Sequence, residues 1–175
     1  MKILVYIKLL RIHQWTKNLI CFAGVIFGGH INNIDFWLLS IKVFFYFSLI
    51  SSSIYVFNDI FDKKEDIKHP KKRKRPIANG DITIPTAIVI GLLCMFFGLV
   101  GAYILGKSIF FIFLMYIINN VLYNYFCKKI LILDVLSISF GFIFRIISGI
   151  YVVNDMPTIW VILCTMFLAL FLGFS

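Results

Sequence analysis

Long blocks of apolar residues alternate with shorter polar segments along this chain. Six of the blocks approach or exceed the ~20 residues that an α-helix needs to cross the hydrocarbon core of a bilayer. They predict membrane-spanning helices rather than a barrel, because a helix satisfies its backbone hydrogen bonds within one segment. We place the spans, of which the first has the weakest pattern, at residues 15–30, 36–57, 82–105, 108–126, 130–153 and 156–175.

The composition supports a membrane protein. Of the 175 residues, 61% are hydrophobic, 18% are aromatic and only 14% are charged, and the mean hydropathy is +0.97. These values lie far outside the range of an ordinary soluble domain. The predicted fold class is therefore all-α, a polytopic transmembrane helical bundle. We expect one domain over residues 1–175, with a charged loop at 58–81 as the only break in composition.

The positions of the Lys and Arg residues predict the orientation of the bundle. A formal net charge of +9 could suggest nucleic acid, but in a membrane protein the placement of the charges is more informative. Four basic residues lie among the first 17 residues, eight lie between the second and third spans, and the alternate connections are nearly free of them. By the positive-inside rule, the amino terminus and the 58–81 loop face the cytoplasm. We expect an integral protein of a bacterial inner membrane, with no nucleic-acid partner.

Three aspartates stand where the second span ends. Asp59, Asp62 and Asp66 are spaced i, i+3 and i+7, which on a helix places the three carboxylates on one face. Such close like charges repel one another, so we expect a cation among them. Magnesium fits best, because it is held by one or two carboxylates while substrate phosphates complete its coordination. Asn58 offers a further oxygen ligand.

A basic run follows the aspartates within ten positions. Arg73 and Arg75 can each bind phosphate oxygens through two hydrogen bonds, and Lys72 can act as a point charge. Acids and bases together predict a diphosphate site in which cations neutralise a leaving group. The basic run alone would equally suit anionic lipid head groups, but that interpretation does not explain the aspartates.

These motifs resemble a known family. The sequence N-D-x-x-D-x-x-x-D at 58–66, followed by R-P-x-x-x-G at 75–80, resembles the first Asp-rich motif of the UbiA superfamily of intramembrane prenyltransferases. Further motifs resemble its decaprenyl-phosphate phosphoribosyltransferase-like branch. They are L-R-x-x-Q-W-x-K-N at 10–18, H-P-x-K-R-x-R-P-I-A-x-G at 69–80, Y-S-x-x-L-K-x-x-x-x-x-D-V at 123–135 and F-x-x-R-x-I-x-G at 142–149. At 124 and 127 this chain has Asn and Cys instead of Ser and Leu.

The resemblance implies that phosphoribosyl diphosphate gives its 5-phosphoribosyl group to a polyprenyl phosphate, with release of diphosphate. It implies that Asp59, Asp62 and Asp66 hold Mg²⁺, with Asp59 and Asp62 also catalytic. The implied substrate contacts are Lys17, Asn58, Lys72, Arg73, Arg75, Tyr123 and Lys128. Arg145 lies in the middle of a predicted span, where a charge usually faces a polar cavity, so we expect it to be catalytic too.

The resemblance also bears on the extent of the chain. Family members have nine transmembrane helices and a second polar motif on a later cytoplasmic loop. We therefore expect about six of the nine helices here, in a chain that is truncated at its carboxyl end and inactive in isolation.

Two other functions stay open. A UbiA-type enzyme could instead move a prenyl group from a prenyl diphosphate to an aromatic acceptor, since diphosphate is again the leaving group. The third hypothesis is a non-catalytic membrane protein whose basic loop binds anionic lipid. It predicts that Asp59→Asn and Asp62→Asn leave function intact, whereas both enzymatic hypotheses predict severe loss.

Overall fold

The computed structural model describes residues 2–126 and 130–174, without the side chains of Lys2 and Leu131. Throughout this part of the chain the regular elements are helices. They are α1 (Lys2–Leu9), a 3₁₀ helix (Ile12–Phe22), α2 (Ala23–Phe27), α3 (Ile34–Phe61), α4 (Lys63–Lys68), a short 3₁₀ turn (Lys72–Lys74), α5 (Ile84–Leu105), α6 (Lys107–Tyr125), α7 (Leu131–Tyr151) and α8 (Ile159–Phe174). The all-α fold class is confirmed.

Four of the described helices, α3, α5, α6 and α7, are long and apolar enough to cross a membrane, and α8 is a shorter apolar helix. These five helices correspond to the second to sixth predicted spans, with ends that differ by at most four residues. Their outward faces carry large exposed apolar side chains, among them Phe96, Ile104 and Phe171, as expected for contact with lipid.

The first predicted span, residues 15–30, is not one α-helix. Instead the 11-residue 3₁₀ helix continues into the five residues of α2. A 3₁₀ helix rises ~2.0 Å per residue and an α-helix ~1.5 Å, so together they extend about 30 Å, close to the hydrocarbon thickness. These 16 residues therefore extend about as far as the ~20 residues of an ordinary α-helical span.

Side-chain hydrogen bonds hold the 3₁₀ helix against α3. Trp15 Nε1 donates to Ser52 Oγ at 2.9 Å, and Asn18 Nδ2 donates to Ser48 Oγ at 2.9 Å. In a 3₁₀ helix residues i and i+3 eclipse, so Trp15 and Asn18 project from the same side. They reach two serines that are one turn apart on α3.

Helix α3 is the centre of the bundle. Besides the two serines that face the 3₁₀ helix, Ser53 Oγ donates to the carbonyl of Gly91 on α5 at 2.7 Å, and Ser51 Oγ lies 3.3 Å from Tyr116 Oη on α6. Small hydroxyl side chains let apolar helices approach closely and also bond to one another. As a consequence, the end of α3 that carries the Asp-rich motif, Asn58 to Asp62, lies among the other helices.

The 3₁₀ helix and α2 meet α7 through glycine. A Cβ added at Gly149 would overlap the carbonyl of Cys21, and a Cβ added at Gly24 would overlap the carbonyl of Gly149. Both obstacles are backbone atoms, which cannot move aside as the end of a side chain can. Only glycine therefore permits this approach, which places Asn18 next to Arg145.

Candidate functional site

The Asp-rich motif sits where α3 ends. The helix stops at Phe61, Asp62 caps it with φ −82° and ψ 1°, and α4 then begins at Lys63. Asp59 and Asp66 are each only 2% exposed. Because the helix is interrupted at Asp62, the three aspartates do not lie on one continuous helix face.

Two arginines neutralise the buried aspartates. Arg75 Nη1 donates to Asp59 Oδ1 at 3.1 Å and to Asp66 Oδ2 at 2.7 Å, so a single guanidinium bridges the first and last aspartates of the motif. Arg11 Nη2 donates to the same Asp59 oxygen. Its guanidinium also lies 4.9 Å from the centre of the Tyr55 ring. Buried carboxylates are stable only when paired in this way.

Within residues 2–126 and 130–174, no three acidic, His or Cys side chains form a group that could hold a metal ion. The structure thus brings Asp59 and Asp66 together through Arg75 and does not gather them with Asp62 around one point. The side chains of the motif nevertheless provide oxygen ligands of the kind that Mg²⁺ binds. Carboxylate oxygens of Asp59 and Asp62 and the amide oxygen of Asn58 are hard ligands, and one or two carboxylates suffice when phosphate supplies the rest.

A central cavity of about 250 Å³ opens beside the motif, between the 3₁₀ helix, α3, α6 and α7. Its lining is dominated by amide, hydroxyl and cationic side chains. The lining residues are Lys17, Tyr55, Asn58, Tyr116, Asn119, Asn120, Tyr123, Ser137, Ile138, Gly141, Phe142 and Arg145. The structure therefore brings together four residues that the sequence predicted separately, namely Lys17, Asn58, Tyr123 and Arg145.

Arg145 is buried at 5% exposure on the wall of the central cavity. Its Nε donates to Asn18 Oδ1 at 2.7 Å, Nη2 to Tyr116 Oη at 2.9 Å and Nη1 to the carbonyl of Gly141 at 2.6 Å. The ion pairs found in the described structure do not include it. Its positive charge is held by neutral groups and by the rings of Phe47, Tyr116 and Phe142, whose centres lie 5.0 to 5.4 Å away. An anion in the cavity would meet a charge that no carboxylate cancels.

The amide side chains fix one wall of the central cavity. Asn58 Oδ1 accepts from Asn124 Nδ2 at 2.6 Å, which joins the Asp-rich motif of α3 to the end of α6. Asn119 Nδ2 donates to the carbonyl of Ser137 at 3.0 Å and its Oδ1 accepts from Ser137 Oγ at 3.2 Å, which joins α6 to α7. These hydrogen bonds orient uncharged polar groups toward the cavity.

The basic run divides into residues that reach the site and residues that do not. Arg75 bridges the aspartates, but Lys72 and Arg73 are exposed and line neither the central cavity nor the pocket on the far side of Asp59. That second pocket has about 320 Å³, and we call it the basic pocket. It is lined by Lys8, Arg11, His13, Asp59, Lys71, Lys74, Arg75 and Pro76. The predicted contact Lys128 lies outside the described residues.

Arg11 is the main site residue that the sequence did not single out as a ligand-contacting group. It pairs with Asp59 across 48 positions, a separation at which spacing carries no signal. Its backbone has φ 48° and ψ 48°, in the left-handed region that costs a non-glycine residue roughly 1–2 kcal/mol. A sharp corner between α1 and the 3₁₀ helix is what turns Arg11 toward α3.

Comparisons with known proteins identify the family of this chain. The model of the UbiA prenyltransferase family matches residues 18–175, which is nearly all of the chain. The chain belongs to the UbiA prenyltransferase family. Since the described part of the chain has four helices long and apolar enough to cross a bilayer, this UbiA-family protein is an integral membrane protein.

Two relatives and two solved structures illustrate the similarity. The chain is 34% identical over 172 residues to decaprenyl-phosphate phosphoribosyltransferase of Mycolicibacterium smegmatis, covering 95% of this chain and 54% of that protein. It is 28% identical over 171 residues to the Mycobacterium tuberculosis protein of the same name, covering 95% and 56%. The chain thus spans about half the length of these curated relatives.

The structural neighbours have the same fold. A UbiA homolog from Archaeoglobus fulgidus, solved bound to DMAPP and Mg²⁺, superposes with a TM-score of 0.80 at 19% identity, over 94% of this chain and 60% of that one. A structure of digeranylgeranylglyceryl phosphate synthase gives a TM-score of 0.76 at 22% identity, over 97% and 58%.

Proposed function

We propose that this UbiA-family protein is an enzyme that transfers the 5-phosphoribosyl group of phosphoribosyl diphosphate to a polyprenyl phosphate. The observation that carries the proposal is the central cavity, where Lys17 and Arg145 offer positive charge among amide and hydroxyl groups, beside the Asp-rich motif. These amide, hydroxyl and cationic side chains suit a donor that carries several hydroxyl and phosphate groups. The names of the two mycobacterial relatives support the same reaction.

The bond changes in this reaction are simple. A phosphate oxygen of the polyprenyl phosphate attacks the anomeric carbon of the ribosyl donor, and the bond from that carbon to the diphosphate oxygen breaks. Negative charge accumulates on the departing diphosphate. Catalysis then consists mainly of positioning and of neutralising that charge with groups that are already in place.

The side chains around the central cavity would have different roles, according to their charge and hydrogen-bonding groups. Arg145 and Lys17 would neutralise phosphate oxygens in the central cavity, and Asn58 and Tyr123 would orient the donor by hydrogen bonds. Arg145 is held by three hydrogen bonds before any ligand arrives, so little ordering remains to be done on binding. The polyprenyl tail would remain among the apolar faces of the helices.

Mg²⁺ is the implied cofactor, and Asp59 and Asp62, with Asn58, are the residues that would hold it. The ion, when bound, supplies positive charge to the diphosphate. Arg11 and Arg75 are paired with Asp59, and Arg75 also with Asp66. The same guanidinium groups fit phosphate oxygens as well as they fit carboxylates, so we infer that they contribute to diphosphate binding.

We place the Asp-rich motif at the cytoplasmic face of a bacterial inner membrane. Eight Lys and Arg residues lie between α3 and α5, whereas the segments 28–33 and 152–158 on the opposite side contain none. This orientation would give the site access to a water-soluble donor from the cytoplasm and to the lipid acceptor from the bilayer.

A substrate assay tests the proposal. Membranes that contain the protein expressed from its complete gene would be given radiolabelled phosphoribosyl diphosphate and a polyprenyl phosphate, with membranes from cells without the gene as the control. We expect a labelled lipid that forms only when Mg²⁺ is present. A prenylated aromatic product from a prenyl diphosphate, with no labelled lipid, would favour the prenyl-transfer hypothesis instead, and no product from either donor would favour lipid binding without catalysis.

A further inference from the structure

The basic pocket is separate from the central cavity, and the two share no lining residue. It lies between the end of α1 and the loop that connects α4 to α5. Five of its lining residues are Lys or Arg, and Asp59 is its one carboxylate. Asp59 Oδ1 pairs with both Arg11 and Arg75, so the negative charge of this carboxylate is already neutralised within the protein.

The three lysines of the basic pocket have no such match. Among the ion pairs that the described structure contains, none involves Lys8, Lys71 or Lys74. Cations gathered at one pocket repel one another unless an anion lies among them. The arrangement therefore indicates a ligand that carries negative charge.

The local fold holds the lysines in place. His69 Nδ1 accepts from the backbone N–H groups of Lys71 and Lys72, at 3.2 Å each, which fixes the start of the 3₁₀ turn Lys72–Lys74. Because this turn repeats every three residues, Lys71 and Lys74 lie on the same side of it. Lys71 and Lys74 line the basic pocket, whereas Lys72 and Arg73, which the sequence favoured, do not, although all four side chains are exposed.

We propose that the basic pocket is a second anion site, which binds a phosphate group through Lys8, Lys71 and Lys74. Two sources could supply that phosphate. One is the head group of an anionic phospholipid, because α1, which carries Lys8, also exposes the apolar residues Ile3 (75%) and Leu4 (61%), as a helix at a membrane surface does. The other is a phosphate of the soluble donor, and only this second source rests on the proposed function.

The first arm of the test concerns the lipid. The double variant Lys71→Gln/Lys74→Gln would be compared with Lys63→Gln/Lys64→Gln, which removes the same charge from α4 outside the pocket. The probe is phosphatidylglycerol, offered to the purified full-length protein in mixed micelles with phosphatidylcholine and counted by native mass spectrometry. If the phosphate belongs to a lipid, the pocket variant binds phosphatidylglycerol about tenfold more weakly than wild type, because two charge-assisted contacts are lost. The control variant then binds phosphatidylglycerol as tightly as wild type does.

The second arm concerns the soluble donor. Equilibrium binding of phosphoribosyl diphosphate would be measured for the same three proteins in discs of phosphatidylcholine. If the phosphate belongs to the donor, the pocket variant loses about tenfold in affinity while its retention of phosphatidylglycerol is unchanged. Neither arm depends on catalytic turnover. A protein that shows no transfer activity but binds one of these probes at the pocket would therefore contradict the proposed function and still support the anion site.

A further variant tests whether misfolding explains a loss of binding. Lys8 is exposed on α1, so Lys8→Gln should leave the thermal unfolding midpoint unchanged and still weaken the affected probe. The proposal is overturned if the pocket variants and the α4 control bind both probes as well as wild type does.

Discussion

At the residue scale, two buried charges at neighbouring sites are stabilised in opposite ways. Asp59 is neutralised by two arginines, whereas Arg145 is held by an amide, a hydroxyl, a carbonyl and three rings. A buried charge without a counter-ion is costly and is retained mainly where a function uses it. The contrast assigns Asp59 a partner within the protein and leaves Arg145 available for an anionic ligand.

Replacing Arg145 tests that contrast. Arg145→Met would remove one hydrogen-bond donor from each of Asn18 Oδ1, Tyr116 Oη and the Gly141 carbonyl, at a cost of about 3 kcal/mol in the free energy of unfolding. Tyr116→Phe removes only one of these bonds and should cost about 1 kcal/mol. Arg145→Lys keeps the charge but not the planar fork, so transfer should recover only in part. The measurements are denaturant unfolding in micelles and the transfer assay, and an Arg145→Met protein with wild-type stability and activity would refute the role.

At the element scale, hydropathy located five helices but not the nature of the first span. The apolar blocks behind α3 and α5 to α8 are long enough that length and composition alone determine a spanning helix. Residues 12–22 carry His13, Gln14, Trp15 and Asn18 among apolar neighbours. Whether they form an α-helix or a 3₁₀ helix depends on the serines of α3 that accept their hydrogen bonds, and those partners lie 30 or more positions away.

The packing of the 3₁₀ helix and α2 on α7 makes a second prediction. Gly149→Ala would push a methyl group into the carbonyl of Cys21 and should destabilise the protein by about 3 kcal/mol, because backbone atoms would have to separate. Gly91→Ala is the matched control. Its added methyl group would meet the end of the Phe57 ring at 3.2 Å, and the gain in helix propensity offsets most of that strain. Thermal unfolding in micelles checks both, and equal midpoints for the two variants would contradict the close approach of the helices.

At the scale of the whole molecule, orientation follows from the distribution of charge. Single cysteines at Asn79, in the loop before α5, and at Asn32, between α2 and α3, would be exposed to solvent on opposite sides. We expect a membrane-impermeant maleimide to label position 79 only in inside-out vesicles and position 32 only in right-side-out vesicles. The wild-type protein gives the background from its own cysteines, and the reverse pattern would move the Asp-rich motif to the other face of the membrane.

The site was predictable from sequence in its residue types more than in its geometry. Asn58, Lys17, Tyr123 and Arg145 could be selected because polar groups in apolar surroundings are rare, and the structure gathers them around one cavity. The spacing of the aspartates predicted that they share one continuous helix, but the helix is interrupted at Asp62. Pairing of Arg11 with Asp59, like the placement of Lys71 and Lys74 in the basic pocket, depends on how distant segments pack and leaves no trace in local spacing.

The central claim is that the end of α3 and the cavity beside it carry out transfer from a diphosphate donor. The most direct test measures labelled-lipid formation by wild type, Asp59→Asn, Asp62→Asn and the control Asp35→Asn, which changes an exposed aspartate at the far end of the same helix. We expect Asp59→Asn and Asp62→Asn to lose about a hundredfold or more of the rate, since charge placed for the transition state is removed, while Asp35→Asn retains wild-type activity. Transfer at the wild-type rate by Asp59→Asn or Asp62→Asn would contradict the account.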